Sequence, residues 1–221
     1  MRSSNFYGND QYYNQNRADQ GEMRVIGIGN IQTEPDIAIV NLGVITEAKN
    51  LETAQRENII ISNRVIDKLE EIGVLRKDIQ TSIYNIEPQY DYIEGKQIFR
   101  NYKVTNIFTV TIRDIENVGE IIDAAVSTGV NNVGNINFTI SDYDYYYKRT
   151  LQSAVINAIE KAVTIGETLR IPVNTVPVSI KEQPPIQEFE SRAIMKTYTA
   201  STPVMPGEIE ITATVEASFQ Y

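Results

Sequence analysis

The 221-residue chain contains no cysteine, no histidine and no tryptophan. Without cysteine there is no disulfide, no thiolate nucleophile, no zinc ribbon and no iron–sulfur cluster. Without histidine there is no Ser-His-Asp triad, no imidazole metal ligand and no imidazole switch near neutral pH. Basic residues are also in deficit: 20 Lys and Arg stand against 29 Asp and Glu, a net charge of −9. That balance disfavours nucleic acid and anionic membrane, which recruit clustered positive charge. No apolar run reaches the ~18 residues of a membrane-spanning helix, and no secretory leader motif precedes the first aliphatic residue, Val25. The default compartment on these grounds is the cytoplasm, with the cell or spore surface, reached by a non-classical route, as the alternative.

What is present is an ordinary globular composition, 42% apolar and 22% charged, long enough for one domain or two small lobes. Residues 1–22 form a polar tail rich in Asn, Gln and Tyr, too poor in apolar material to offset its own ordering entropy. It reads either as a disordered tail or, through its aromatic residues Phe6, Tyr7, Tyr12 and Tyr13, as an adhesive arm ordered only against another subunit. The folded domain occupies 23–221. Its first two strands, 23–31 and 36–47, flank the breakers Pro35 and Asp36. Asn50 caps a helix of about six turns that stops at Gly73, with Leu51, Ala54, Ile61, Val65, Leu69 and Ile72 on one stripe. A strand over 79–87 is followed by a Pro- and Gly-bounded break at 88–96. A long half-buried strand then runs over 98–113. Asp114 is expected to cap a second helix ending at Gly129, and a short strand follows to Ile140. A third, alanine-rich helix spans 143–170, and Pro172 ends it. An edge strand with Pro177 follows over 173–182. A Pro-punctuated irregular stretch covers 184–206, and a cleanly alternating strand covers 207–220. The order ββαββαβαββ argues an α+β fold, with antiparallel sheet and amphipathic helices packed on one face. Strands 98–113 and 207–220 each have a polar face, and one of the two is expected to lie at a sheet edge and receive the tail.

Motifs that would carry chemistry fail on inspection. Gly27-Ile28-Gly29 opens like a dinucleotide fingerprint, but Gln32 holds the third glycine position and Pro35 follows instead of a helix. Close backbone packing is the better reading. Asp142 and Asp144 lack the ligand number and spacing of a calcium loop; Ser141 or Asp142 reads as the cap of the third helix. Glu70-Glu71 and the alternating Glu208, Glu210 and Glu216 read as solvated faces. The tyrosines Tyr143, Tyr145, Tyr146 and Tyr147 cannot all face one core, and tyrosine is enriched at interfaces. Phe189 and Tyr198, in the irregular stretch, complete the interface candidates.

The segments VIGIGNIQTEPDIAIVNLGV (25–44), IQTSIYNIEPQYDY (79–92), NYKVTNIFTVTIRD (101–114), IIDAAVSTGVNNVGNINFTISD (121–142), the helix 151–170 and PGEIEITATVEASF (206–219) resemble the SIMPL-domain family, a domain of unknown function. Asn101-Tyr102 stands where the family usually has Gly-Tyr, Ile165-Gly166 where it has Leu-Ala, and the polar tail where many members carry a signal peptide. The resemblance implies periplasmic or surface-associated bacterial relatives, links to oxidative stress, ring-shaped oligomers in some members, and no catalytic residue set or cofactor. Three functions are open on this reading. The first is a non-enzymatic self-assembling structural protein, with itself as partner. The second is a module binding a protein or small molecule through 184–206 or the tyrosine cluster 141–149. The third is a carboxylate-dependent hydrolase.

Overall fold

A computed structural model describes residues 21–184, 192–193 and 204–221. Phe6, Tyr7, Tyr12, Tyr13, Phe189 and Tyr198 therefore lie outside the described residues, as do most of the tail and most of the 184–206 stretch. The described chain divides into two compact units, one made of 21–31, 144–184 and 211–221, the other of 32–143, 192–193 and 204–210. The element order is β1 (Glu22–Thr33), β2 (Ile37–Ala48), α1 (Leu51–Glu71), β3 (Ile79–Ile93), β4 (Lys96–Ile112), α2 (Val118–Thr128), β5 (Asn132–Thr139), α3 (Tyr143–Leu169), β6 (Ser179–Gln183), β7 (Arg192–Ala193) and β8 (Gly207–Gln220). The α+β expectation holds, with two antiparallel sheets where one was drawn.

In the larger unit the strand order is β3-β4-β2-β5. β2 is central, and Ala38, Val40, Leu42 and Val44 on its inner face are fully buried. The helix α1 forms because Asn50 Oδ1 accepts from the Thr53 N–H at 3.0 Å, satisfying one of the orphan donors of the first turn. It ends at Gly73, whose φ of 97° suits glycine. Its buried stripe departs from the expected aliphatic one. Asn58 and Ser62 occupy core positions beside Ala54, Val65 and Leu69, while Leu51 is exposed. Asn58 Nδ2 donates to the Val44 and Val104 carbonyls at 2.8 and 3.3 Å. Ser62 donates to Asn58 Oδ1, and Asn106 Nδ2 donates to Ser62. The polar stripe thus pins α1 to β2 and β4, where an all-aliphatic stripe would pack without fixing register. Asp114 makes no side-chain cap; it accepts from Asn117, and a single 3-10 turn (Ile115–Asn117) precedes α2.

In the smaller unit the order is β1-β8-β6, and α3 lies on this sheet. Ala154, Ala158 and Ala162 are fully buried against Met23, Val25, Ala213, Val215 and Phe219. The alanines and two strand glycines explain one another. A Cβ on Gly27 would stand 2.1 Å from the Ala154 carbonyl oxygen, and one on Gly29 would stand 2.1 Å from that of Thr150. Helix and strand backbones are therefore almost in contact. β6 is shorter than expected, because Pro177 removes a ladder donor and the strand begins only at Ser179. Neither of the two strands, one of which was expected at an edge, lies there: β4 lies between β3 and β2, and β8 between β1 and β6. Among the described residues the outer strands are β1, β6, β7, β3 and β5.

Candidate interaction surface

The tyrosine cluster sits in the first turns of α3. Tyr143 is half-buried, and burial raises its phenol above the usual value. Tyr145 and Tyr146 stack edge to face at 5.3 Å, with the Arg149 guanidinium 5.8 Å from the Tyr145 ring centre. Tyr147 is held inward, its hydroxyl donating to Glu182 Oε1 at 2.7 Å. The cluster therefore splits: Tyr145 faces solvent and Tyr147 is a packing residue. Ser141 does not show the expected cap. Its N–H and hydroxyl both donate to the Asp36 carboxylate at 2.6 Å.

Acid–base chemistry finds one candidate carboxylate, Asp78. It is 9% exposed and lies in a cleft of about 440 Å³ with Gly73, Val74, Thr111 and Arg113. Arg113 grips it in bidentate fashion, Nε at 2.9 Å and Nη2 at 3.0 Å. Those hydrogen bonds hold the carboxyl below its ordinary value against an opposing effect of burial. A carboxylate so stabilised is a poor proton acceptor, and the pair reads as a clasp between the 3-10 turn before β3 and the end of β4. Among the described residues no group of three or more His, Cys, Asp or Glu is placed to hold a metal ion.

A further group of exposed apolar side chains was not singled out from sequence. β2 pairs with β4 only as far as Ala48↔Tyr102. Beyond that point β3 and β4 continue alone as a two-stranded ribbon, from Pro88↔Tyr102 to Ile93↔Lys96. Residues 88–93, expected to be a connection, are strand. The reversal needs only Glu94 and Gly95, at φ 49° and 76°. Two consecutive positive φ values are those of a type I′ hairpin turn, whose twist matches the strands. Pro88 had suggested a break, but β3 is an edge strand, where proline is tolerated. Tyr90 and Phe99 face each other across the ribbon, ring centres 6.0 Å apart, and Phe99 lies 5.1 Å from Tyr102. Tyr92 is 75% exposed, and Ile93, Ile98, Tyr90 and Phe99 are all above 40%. An isolated two-stranded hairpin is marginal in water. This one displays its apolar side chains to solvent, as an interaction surface does.

The free edge of β1 is treated differently. Asn157 Oδ1 accepts from the Ile28 N–H at 3.1 Å, and Lys161 Nζ donates to the Ile26 carbonyl at 2.7 Å. Side chains of α3 thereby occupy backbone groups that an incoming strand would need, although an apolar groove of about 670 Å³ runs beside them.

The family described as "SIMPL: Protein of unknown function (DUF541)" matches residues 23–219. The 26 kDa periplasmic immunogenic protein of Brucella melitensis is 30% identical over 218 residues, covering 94% of this chain and 87% of that protein. Its Brucella abortus counterpart is 29% identical over the same length. The uncharacterized protein YggE of Escherichia coli is 28% identical over 136 residues, 62% of this chain and 55% of that protein. No enzyme family is indicated. The Brucella names overturn the cytoplasmic default, which rested on a missing leader motif; such a gap identifies no compartment.

Proposed function

Because the chain belongs to the SIMPL family, in which no activity is described, we propose that it is a non-enzymatic, self-assembling structural protein of the bacterial periplasm. One observation carries the reading. The β3–β4 ribbon projects past the sheet with Tyr90, Tyr92 and Phe99 exposed on one face and Ile93 and Ile98 on the other. Burial of apolar surface contributes about 25 cal/mol per Å², so covering the ribbon in an assembly stabilises both the contact and the hairpin. The periplasmic assignment is carried over from the names of the Brucella relatives. The tail, residues 1–22, is given an accessory role: multivalent arms raise effective concentration once a core has assembled.

Light scattering and sedimentation of the full chain over a micromolar concentration series test the proposal. A defined species larger than one chain is expected. A strict monomer at every concentration refutes it. Deleting residues 1–20, which leaves β1 whole, is expected to shrink or loosen the assembly while leaving the thermal transition unchanged; an assembly of the same size and dilution resistance removes the tail from the account.

A further inference from the structure

The ribbon carries its charge asymmetrically. On β3 and the turn, from 87 to 94, the charged residues are Glu87, Asp91 and Glu94, with no base. On β4, from 96 to 101, they are Lys96 and Arg100, with no acid. Among the described residues, both strands have an open edge here. β3 is the outermost strand of its sheet. The outer side of β4 loses its partner once β2 ends at Ala48↔Tyr102. One edge of the ribbon is therefore acidic and the other basic, and each presents a row of backbone N–H and C=O groups.

Resting on the self-assembly reading above, we propose that ribbons of successive copies pair side by side, the acidic β3 edge of one copy against the basic β4 edge of the next. Charge selects this arrangement over its rivals. Two β3 edges meeting about a two-fold axis would bring Asp91 and Glu94 of one copy up against the acids of the other; two β4 edges would do the same with the bases Lys96 and Arg100. Like charges placed directly opposite are destabilising, and such repulsion is a common device against wrong pairing. The head-to-tail contact leaves one free edge of each kind, so it propagates, and it closes into a ring when the rotation between copies permits. It also brings Tyr90, Tyr92 and Phe99 of neighbouring ribbons into one apolar layer. Within a copy, Arg100 already reaches Asp91 at 3.7 Å and Glu47 at 3.4 Å. Its guanidinium keeps further donors for an acid arriving from outside.

The test uses two full-length variants, Asp91→Lys/Glu94→Lys on the β3 edge and Lys96→Glu/Arg100→Glu on the β4 edge. Each alone sets like charges against each other and is expected to run as a single chain, with unchanged far-ultraviolet circular dichroism. An equimolar mixture is expected to assemble, because each reversed edge meets its complement in alternating order. Unimpaired assembly of either variant alone, or failure of the mixture to recover, overturns the inference. If a reversal unfolds the chain, the neutral pair Asp91→Asn/Glu94→Gln serves in its place. Head-to-tail pairing predicts that the concentration for half-assembly rises about tenfold, the equivalent of ~1.4 kcal/mol. Pairing of β3 with β3 predicts a fall, which overturns the inference. A wild-type chain that never assembles refutes the proposed function itself, whereas a wild type that assembles beside indifferent ribbon variants refutes only the ribbon contact.

Discussion

Replacing Gly27 by alanine adds one methyl group, and the fold has no room for it. The new Cβ would stand 2.1 Å from the Ala154 carbonyl oxygen and 2.8 Å from both the nitrogen and the Cβ of Ala158. An ordinary carbon–oxygen contact is about 1 Å longer than the first of these. The atoms in the way are mostly helix backbone, so no side-chain rotation relieves the overlap. α3 must lift by roughly 1 Å, and a gap of that size forfeits a quarter to a half of each dispersion contact along the seam. Ala154, Ala158 and Ala162 all lie on that seam at 0% exposure. Overpacking of this kind typically costs about 1–3 kcal/mol. The entropy that alanine removes from the unfolded chain returns only about 0.4–1 kcal/mol. The expected net loss is about 1–2 kcal/mol, confined to the smaller unit. Urea unfolding followed by circular dichroism gives the total, and amide hydrogen exchange of β1 and α3 gives its location. Gly134→Ala is the control, because its Cβ would meet the Asn41 Cβ at a milder 3.1 Å. If Gly27→Ala unfolds at the wild-type midpoint with unaltered exchange in α3, the close approach of helix to strand is wrong.

Three other outcomes follow from the larger unit and its ribbon. Asn58→Ala removes the donor to the Val44 and Val104 carbonyls and strands the Ser62 hydroxyl; a loss of about 2–4 kcal/mol in urea unfolding is expected, and a change below about 0.5 kcal/mol would count against the network. Arg113→Met frees a nearly buried Asp78 carboxylate. Because the folded value of Asp78 lies below its unfolded value of about 3.9, the clasp stabilises above that pH and its contribution is lost as pH falls through the folded value. The variant should therefore be less stable than wild type at pH 7, with the difference shrinking below pH ~4; a pH-independent difference refutes the charge-based account. Gly95→Ala places a Cβ in open space but at φ 76°; a cost of about 1 kcal/mol, seen as faster amide exchange in the ribbon alone, is expected, and unaltered exchange there argues against the type I′ turn.

Periodicity made the large elements legible. The span of α1, with Asn50 before it and Gly73 after it, and the span of α3 follow from capping chemistry and from the stripe of apolar side chains. So did the tight packing of Gly27 and Gly29, once the fingerprint reading had failed. What escaped was set by partners distant in sequence. Asn58 and Ser62 look like surface residues until the carbonyls of Val44 and Val104 are placed beneath them. Edge and centre are properties of a sheet, so an alternating strand such as β8 says nothing by itself about its neighbours. The ribbon was hidden by Pro88, a breaker in isolation and harmless on an outermost strand. Its aromatic residues alternate within both arms, but their exposure depends on where β2 stops. The Asp78–Arg113 clasp joins side chains 35 positions apart and leaves no local signature.

The order in which the strands are made has a consequence of its own. β1 (Glu22–Thr33) finds its ladder partner in β8 (Gly207–Gln220), so one of the earliest strands to leave a ribosome must wait for one of the latest. At about 5–20 residues per second that wait is on the order of ten seconds. The sheet of the larger unit, built from Ile37–Thr139, has all its strands long before then. Val25, Ile26 and Ile28 spend the interval on a strand without a neighbour, which is the usual opening for aggregation or for a chaperone. Loop closure across so much chain adds a further entropic delay. Refolding of the isolated protein should accordingly be biphasic, with protection of β1 and β8 appearing together in the slower phase.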